Sequence, residues 1–406
     1  MRCSRRRVSS RAGFAVASTG YRELDVHRGI FTAARLSSLD GLRAISIALV
    51  IVGHLSGTTG FGYRDFGIGD YAHLGVVVFF VISGFLITSL LMSEHDANGC
   101  VSLKLFYARR FLRIFPASYT YLTVVSLLSL WGMIHLKAPD LWHAFTYTVN
   151  YQSGRSWQIG HLWSLSVEEQ FYLLWPFAFV ALGTRRATWA AVGVIFLAIF
   201  ARAVNRLFFV GTPYFDLEMF PMVADSLAVG CLLARLRGWL EGQRWYARLL
   251  QPGPSLLLLG LIFLLNRYQA YTVVNVFGMT LVNLAIAVLI HRSIYHSNDR
   301  MGWFLNWKPV AFVGVLSYSL YLWQQLFLNR YSASWMNVFP QNLVLAVAAS
   351  LVSYFIIERP LLGLRHRLRV QSLARHSPVC ANVVQLKVER EVRPSEAPDT
   401  VTLPID

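Results

Sequence analysis

The chain is predicted to fold as an all-α polytopic membrane helix bundle with about ten transmembrane helices and both termini in the cytoplasm. It has 406 residues, of which 55% are hydrophobic and only 14% are charged. Soluble proteins carry about 25% charged residues. Apolar stretches of about 20 residues, the length that crosses a bilayer, recur along the sequence. These observations favour one membrane domain over two or three soluble ones.

Ten apolar segments are the candidate spans, at residues 38–56, 73–92, 115–134, 162–182, 187–204, 217–234, 254–266, 273–291, 309–328 and 341–358. The seventh is short for a span. The resulting organisation is a basic flexible arm at 1–35, a ten-helix membrane domain at 36–366 and a disordered cytoplasmic tail at 367–406. The tail is polar and contains prolines, a composition that does not favour a packed core.

The net charge of +16 is explained by topology. With the N-terminus inside, 29 of the 37 lysines and arginines fall on the cytoplasmic side. This bias is the positive-inside rule, and it makes a nucleic-acid partner unnecessary. The expected location is the inner (plasma) membrane, as a multi-pass protein. The basic residues assigned to the outer side are Arg64, Lys137, Arg155, Arg202, Arg206, Arg267 and Arg330.

His54 is the leading candidate for catalysis, because it is an ionisable group near the outer end of the first apolar segment. Ionisable groups within a span usually face a protein interior or an aqueous cavity. At 100° and 1.5 Å per residue, Arg43 and His54 lie about 20° apart around the helix and roughly 16 Å apart along it. Asp40 falls within about 60° of both. A histidine that is simply wetted at the helix end is the alternative.

The segment VSLKLFYARRFLRIFP follows the second span and reads as an interfacial helix. Arg109, Arg110 and Arg113 are spaced so that all three can share one face. They either anchor the loop at the cytoplasmic surface or form a fork for phosphate. In the second span itself, Gly75, Ser83 and Gly84 favour close helix packing over a ligand role.

The segment HLWSLSVEEQFYLLWPF opens the fourth span from the outer side. Glu168, Phe171, Tyr172 and Trp175 share one helical face, and a carboxylate there is costly in a bilayer unless it is paired. Glu169 points elsewhere and is expected to meet water. Further candidates are Asp225, Gln324, Gln325 and Glu358, the last expected to form a helix-end ion pair with Arg359.

Other classes of chemistry have no signature in this sequence. It contains no phosphate-binding loop, dinucleotide fingerprint, HExxH or GxSxG motif. Its four cysteines lack metal-ligand spacing, so no metal is expected. Histidine, glutamate and arginine without a nucleophile motif favour direct general-base catalysis over a covalent enzyme intermediate.

Six segments in order carry a resemblance to a known family. They read LDGLRAISIALVIVGH, GVVVFFVISGFLI, FYARRFLRIFP, HLWSLSVEEQFYLLWP, SYSLYLW and IERP, from about residue 36 to 365. The chain resembles the membrane acyltransferase family 3, integral-membrane enzymes that O-acylate carbohydrates, glycolipids and some antibiotics. The resemblance implies ten core helices, an acyl-CoA donor and a hydroxyl-bearing acceptor.

The resemblance also assigns roles to residues of this chain. It implies that His54 is the essential histidine, that Arg43 is the arginine of the DGLR opening, and that Glu168 is the glutamate of the V-E-x-Q motif. Arg110 and Arg113 match the paired arginines taken to meet the donor, which favours the phosphate interpretation.

Two positions depart from the family. Gln324 and Leu326 stand where the family often has YLWH-x-P, so no role for a second histidine transfers. Val223 stands where an arginine is often found two residues before Asp225.

The sequence therefore predicts an acyl-CoA-dependent O-acyltransferase with catalytic residues His54, Glu168 and Arg43 and donor-binding residues Arg110 and Arg113. The acyl group is expected to be acetyl, from acetyl-CoA as co-substrate, and the acceptor a carbohydrate, a glycolipid or another hydroxyl compound. Glu168 is expected to polarise His54 or to position the acceptor. The alternative is an exporter of a polar lipid or sugar with a His54–Glu168 proton relay.

Overall fold

The computed structural model describes residues 33–62, 70–215 and 218–363, and every regular element within these ranges is helical. The first helix begins at Ala33. The predicted basic arm 1–35, apart from its last residues, and the predicted tail 367–406 lie outside the described residues.

The α-helices of the described ranges follow one another along the chain. They are α1 (Ala33–Leu55), α2 (Tyr71–Asn98), α3 (Leu103–Leu130), α4 (Asp140–Phe145), α5 (Trp157–Gly160), α6 (Leu162–Phe208), α7 (Phe220–Glu241), α8 (Arg244–Leu249), α9 (Pro252–Arg267), α10 (Met279–Tyr295), α11 (Arg300–Leu305), α12 (Lys308–Phe327) and α13 (Gln341–Ser353). Short π-helical turns at Val274–Gly278 and Tyr354–Glu358 adjoin α10 and α13, and 3₁₀ turns lie at Val149–Tyr151 and Trp335–Asn337.

Seven helical stretches in the described ranges are long and apolar enough to cross a membrane. They are Ser37–Leu55, Tyr71–Asn98, Leu103–Leu130, Trp157–Phe208, Val274–Tyr295, Lys308–Phe327 and Gln341–Gly363. This confirms the predicted class of a polytopic membrane helix bundle.

The longest stretch contains two of the predicted spans. Gly183 has φ 71° and ψ 165°, which interrupts α6 between the predicted fourth and fifth spans. His161 before the break lines a cavity with Glu218, and Arg202 after it bonds the carbonyl of Met222. Both residues therefore lie beside the start of α7, so the chain reverses at Gly183.

Helices also stand at the predicted sixth and seventh spans. They are α7 and α9, and α9 has only 16 residues. The count of ten spans and the cytoplasmic location of the termini remain predictions.

Small residues set the spacing of the central helices. A Cβ on Gly84 of α2 would lie 2.0 Å from the carbonyl oxygen of Leu227 in α7, and one on Gly230 would lie 2.2 Å from that of Val81. The two backbones are in contact only because these side chains are absent. The packing interpretation of Gly84 is therefore confirmed.

The bundle has an outer end and an inner end. The outer end holds the C-termini of α1 and α12 and the N-termini of α2, α6 and α7. The inner end holds the N-termini of α1, α3 and α12 and the C-terminus of α2. These names follow the predicted orientation.

Candidate active site

A cavity of about 540 Å³ lies at the outer end of the bundle. Ligand cavities commonly enclose about 300–1,000 Å³. The lining combines aromatic rings with histidines and charged groups, and its residues are Val50, His54, Asp70, Ala72, His73, Val76, Lys137, Arg155, Ser156, Trp157, Gly160, His161, Trp163, Glu218, Tyr321, Gln325 and Tyr331. An ion pair between Arg155 and Glu218, 2.7 Å apart, is part of this lining.

His54 faces this cavity, as expected for a functional group in a span. Its Nδ1 lies 2.8 Å from Oε1 of Gln324 in α12. Trp157 packs edge-on against the imidazole, with ring centroids 5.6 Å apart, and the guanidinium of Arg330 lies 5.3 Å from the Trp157 ring. The histidine is thus held by α12 and by the segment before α6, not by its own helix alone.

Two more cavity residues carry buried acceptor atoms. His161 Nε2 donates to the carbonyl of Leu322 at 3.1 Å, and its Nδ1 has no partner among the described residues. Gln325 donates from Nε2 to the carbonyl of Trp157, and its Oε1 is likewise unpaired within the described ranges. Both atoms accept hydrogen bonds and cannot donate them in this arrangement. A ligand that satisfies them must bring hydrogen-bond donors.

Glu168 lies deeper in the bundle than His54. Its Oε1 accepts from the hydroxyls of Ser83 and Tyr172, and the guanidinium of Arg110 lies 4.9 Å from the Tyr172 ring. Seven residues of helix separate His161 from Glu168, which is about 10 Å along α6. No hydrogen bond joins Glu168 to His54. The structure therefore gives no support to polarisation of His54 by Glu168.

The neighbouring carboxylate also differs from expectation. Glu169 was expected to meet water, but its Oε1 is buried and has no hydrogen-bond partner among the described residues. It interacts electrostatically with Arg110. Two glutamates therefore share the surroundings of that arginine.

A second cluster of charges occupies the inner end. Arg43 pairs with Asp40 at 2.8 Å, and Arg113 interacts electrostatically with both Asp40 and Glu358. Since Arg43 and His54 are about 16 Å apart along α1, the structure does not support contact of Arg43 with the atoms reacting at His54.

Glu358 does not form the expected pair with Arg359. Its carboxylate accepts from Ser319 of α12, whereas the Arg359 guanidinium lies 5.6 Å from the Phe355 ring. Residues adjacent in a helix point in different directions, which explains why the predicted ion pair is wrong.

The three arginines of α3 have different interaction partners. Arg109 pairs with Glu94 at 2.9 Å at the end of α2. Arg110 and Arg113 instead face the Tyr172–Glu168 group and the Asp40–Glu358 group respectively. Of these three arginines, only Arg110 and Arg113, the R-x-x-R pair, therefore lie near the glutamates inside the bundle.

A buried ion pair beside α7 was missed by the sequence reasoning. Arg202, counted on the outer side, is buried in the bundle and lies 3.0 Å from Oδ2 of Asp225. Thr280 bonds both side chains, and the carbonyls of Met222 and Val276 accept from the guanidinium. Arginine can be buried here because its charge and donors are paired.

Comparison with known proteins decides the family. The model of a family described as an acyltransferase domain matches residues 36–358, most of the chain. This chain belongs to that acyltransferase family. The predicted resemblance is confirmed, and the six ordered motifs that carry it lie almost wholly inside the matched region.

Named relatives of this acyltransferase-family chain come from several bacteria. It is 27% identical over 325 residues to the peptidoglycan O-acetyltransferase OatA of Listeria monocytogenes, covering 70% of this chain and 48% of that protein. It is 28% identical over 358 residues to a Staphylococcus aureus (strain COL) protein provisionally named an O-acetyltransferase, covering 80% and 57%. A Bacillus subtilis protein provisionally named a peptidoglycan O-acetyltransferase is 27% identical over 369 residues, covering 80% and 55%.

The chain thus spans about half the length of the curated relatives it matches. No solved structure matches it significantly.

Sequence reasoning assigned no role to two residues of the cavity, His161 and Trp157, or to Gln324, which bonds the cavity residue His54. His161 was noted only as a polar residue before the fourth span, and Trp157 lay in a loop with no assigned role. Gln324 was named as a further candidate and as a departure from the family, but without a role, yet it is the residue bonded to His54. Its position one helical turn from the end of an apolar span was the only available signal.

Proposed function

We propose that this protein is a membrane O-acetyltransferase that transfers an acetyl group from acetyl-CoA to a carbohydrate hydroxyl, with His54 as general base. Family membership supports acyl transfer over the exporter alternative. The curated relatives support acetyl as the group and a cell-envelope carbohydrate as the acceptor.

The observation that carries the proposal is that one cavity contains His54, aromatic rings and two buried acceptor atoms that have no hydrogen-bond partner among the described residues. Sugar hydroxyls supply the donors that His161 Nδ1 and Gln325 Oε1 lack. Aromatic rings such as Trp157 and Trp163 can pack against the apolar faces of a sugar ring. The cavity therefore fits a carbohydrate acceptor arriving from the outer side.

The donor is proposed to enter from the inner end. The R-x-x-R pair offers guanidinium groups for the phosphates of acetyl-CoA, and the long pantetheine arm would lie along the polar interior between α3, α6 and α12. In this arrangement Glu168 is a positioning residue on the donor side. Its carboxylate accepts from the hydroxyl of Tyr172, and the Arg110 guanidinium lies against the Tyr172 ring.

Transfer then proceeds in two steps, addition of the hydroxyl to the thioester and breakdown of the tetrahedral intermediate. The acceptor hydroxyl gives its proton to Nε2 of His54 while its oxygen attacks the thioester carbonyl carbon. The carbonyl electron pair moves onto oxygen to form a tetrahedral oxyanion. The carbon–sulfur bond breaks as the carbonyl reforms, and the imidazolium returns the proton to the CoA thiolate.

Purified protein in detergent tests the function directly. Incubation with isotopically labelled acetyl-CoA and soluble peptidoglycan fragments should release CoA and add labelled ester groups that mass spectrometry detects. The loss of label on mild base would identify the product as an O-ester. A purified protein that transfers label from acetyl-CoA to no carbohydrate in a panel of cell-envelope glycans would contradict the proposal.

Arg110→Ala and Arg113→Ala should each weaken acetyl-CoA binding by about 10- to 150-fold, the loss of one charge-assisted contact of about 1.5–3 kcal/mol. Titration of each variant with acetyl-CoA measures the dissociation constant. The loss should be smaller for acetyl-dephospho-CoA at whichever arginine meets the 3′-phosphate.

Arg109→Ala is the matched control for these arginines. It removes the same type of side chain one residue away, but its partner is Glu94, so donor affinity should change little. Equal losses in all three variants, with both donors, would instead assign the arginines to anchoring of α3 at the membrane surface.

A further inference from the structure

His161 lines the same cavity as His54 and is held in one tautomer. Its Nε2 lies 3.1 Å from the carbonyl oxygen of Leu322 in α12, an atom that only accepts hydrogen bonds. The proton is therefore on Nε2, and Nδ1 keeps its lone pair. Because the residue is only 3% exposed, that lone pair is buried in the cavity wall.

The aromatic neighbours of His161 do not satisfy this lone pair. The ring centroids of Tyr121 and Tyr321 lie 5.5 and 5.4 Å from that of the imidazole. Their hydroxyls donate instead to the backbone carbonyls of Gln158 and of His161 itself, and Nδ1 has no partner among the described residues. An unpaired buried acceptor costs free energy. Its place in the wall of a cavity therefore indicates a ligand that donates to it.

His161 and His54 reach the cavity at nearly the same depth. Leu322, which holds His161, and Gln324, which holds His54, are two residues apart in α12, or about 3 Å along the helix axis. The two histidines also interact electrostatically. A group bound at Nδ1 of His161 is therefore close to the hydroxyl that His54 would activate.

Gln325 adds a second buried acceptor to this part of the wall. Its Nε2 donates to the carbonyl of Trp157, which fixes the nitrogen end of the amide and leaves Oε1 without a partner in the described ranges. A Cβ on Gly160, the residue before His161, would lie 3.0 Å from that nitrogen. Two acceptor side chains thus stand next to each other at the start of α6.

We propose that His161 is a specificity-determining residue of the acceptor site: its Nδ1 accepts a hydrogen bond from a second donor on the acceptor sugar, an O–H or an amide N–H near the hydroxyl that is acetylated. This inference rests on the transfer proposed above and narrows the acceptors to sugars that carry such a second donor. A sugar without it would leave Nδ1 buried and unpaired, and sites built on a hydrogen bond of this kind reject analogues that lack it.

A series of acceptors tests the required donor. The probes are synthetic peptidoglycan disaccharides: a parent with all its donors, and analogues that each lack one hydroxyl or carry an N-methylated acetamido group. Mass spectrometry first locates the acetylated hydroxyl of the parent. Loss of the donor that His161 binds should then lower kcat/KM by about 5- to 150-fold. The deoxy and N-methyl analogues distinguish an O–H from an N–H.

Two substitutions at this position separate the proposed role from a structural one. Glutamine places its amide nitrogen near the position of Nε2, so His161→Gln keeps a donor for Leu322 but offers no acceptor in place of Nδ1. Asparagine places its amide oxygen near the position of Nδ1, so His161→Asn keeps the acceptor. His161→Gln should use the parent and the affected analogue almost equally, and His161→Asn should recover much of the preference for the parent. A structural role would lower both rates and leave their ratio unchanged.

His143→Gln is the matched control, because His143 bonds Thr148 and does not line the cavity. Its preference for the parent should equal that of the wild type, and acetyl-CoA affinity should be nearly unchanged in all three variants. A wild-type preference in His161→Gln would overturn the inference. If that variant does not fold, a wild-type protein indifferent to the loss of each single donor would overturn it as well. Failure of the proposed function would appear differently, as no transfer to any probe by the wild-type protein.

Discussion

His54→Ala should lower kcat for acetyl transfer by about 10²–10⁴-fold, the usual contribution of a general base. The physical reason is that the acceptor hydroxyl would have to lose its proton without a base positioned beside it in the cavity. Initial rates of CoA release at saturating acetyl-CoA measure the effect. Donor affinity should stay close to wild type, because the R-x-x-R pair lies in another part of the bundle.

His143→Ala is the control for this substitution. His143 lies in α4, bonds Thr148 at 2.8 Å and does not line the cavity, so its removal should leave kcat unchanged. A His54→Ala protein that inserts normally, unfolds at the wild-type temperature and transfers acetyl at the wild-type rate would exclude His54 as the base.

Asp225→Asn should lower the free energy of unfolding by about 3–5 kcal/mol, because it leaves the Arg202 charge buried without its counter-ion. The side chains are 7% and 1% exposed, so solvent cannot replace the lost partner. Arg202→Met should have a comparable effect through the unpaired aspartate. Reversible unfolding in mixed detergent micelles measures both.

The double variant Arg202→Met, Asp225→Leu should be less destabilised than the sum of Arg202→Met and Asp225→Leu measured singly, because replacing a whole buried ion pair by apolar side chains is often neutral. Arg206→Ala, one turn along α6, provides the control. That arginine lies 4.8 Å from the Phe215 ring and has no part in the buried pair. Additive losses in the double variant would show that the two charges do not stabilise each other.

The separation of Glu168 from His54 changes how the site is understood. Glu168 was expected to polarise His54 or to position the acceptor, and the first of these roles would make the two residues a catalytic pair. In the bundle, however, His54 bonds Gln324, while Glu168 bonds Ser83 and Tyr172 beside Arg110. The proposed chemistry therefore divides between an acceptor side at the outer end and a donor side nearer the inner end.

Much of this protein could be predicted from its sequence alone. The apolar segments and the charge asymmetry gave the helical membrane class, because a bilayer core accepts only long apolar helices or closed barrels. Six ordered motifs gave the family, and helical periodicity placed His54 and the R-x-x-R pair on defined faces. These properties depend on the order and spacing of residues along the chain, which can be read from the sequence.

The partners of those residues required the tertiary structure. Gln324 is 270 residues from His54 along the chain, and Arg202 finds Asp225 on a different helix. Helical periodicity fixes a residue's face and depth on its own helix, but not the rotation and neighbours of that helix. The packing of α1 against α12, and of α6 against α7, sets those, and it depends on side chains from distant segments meeting at once.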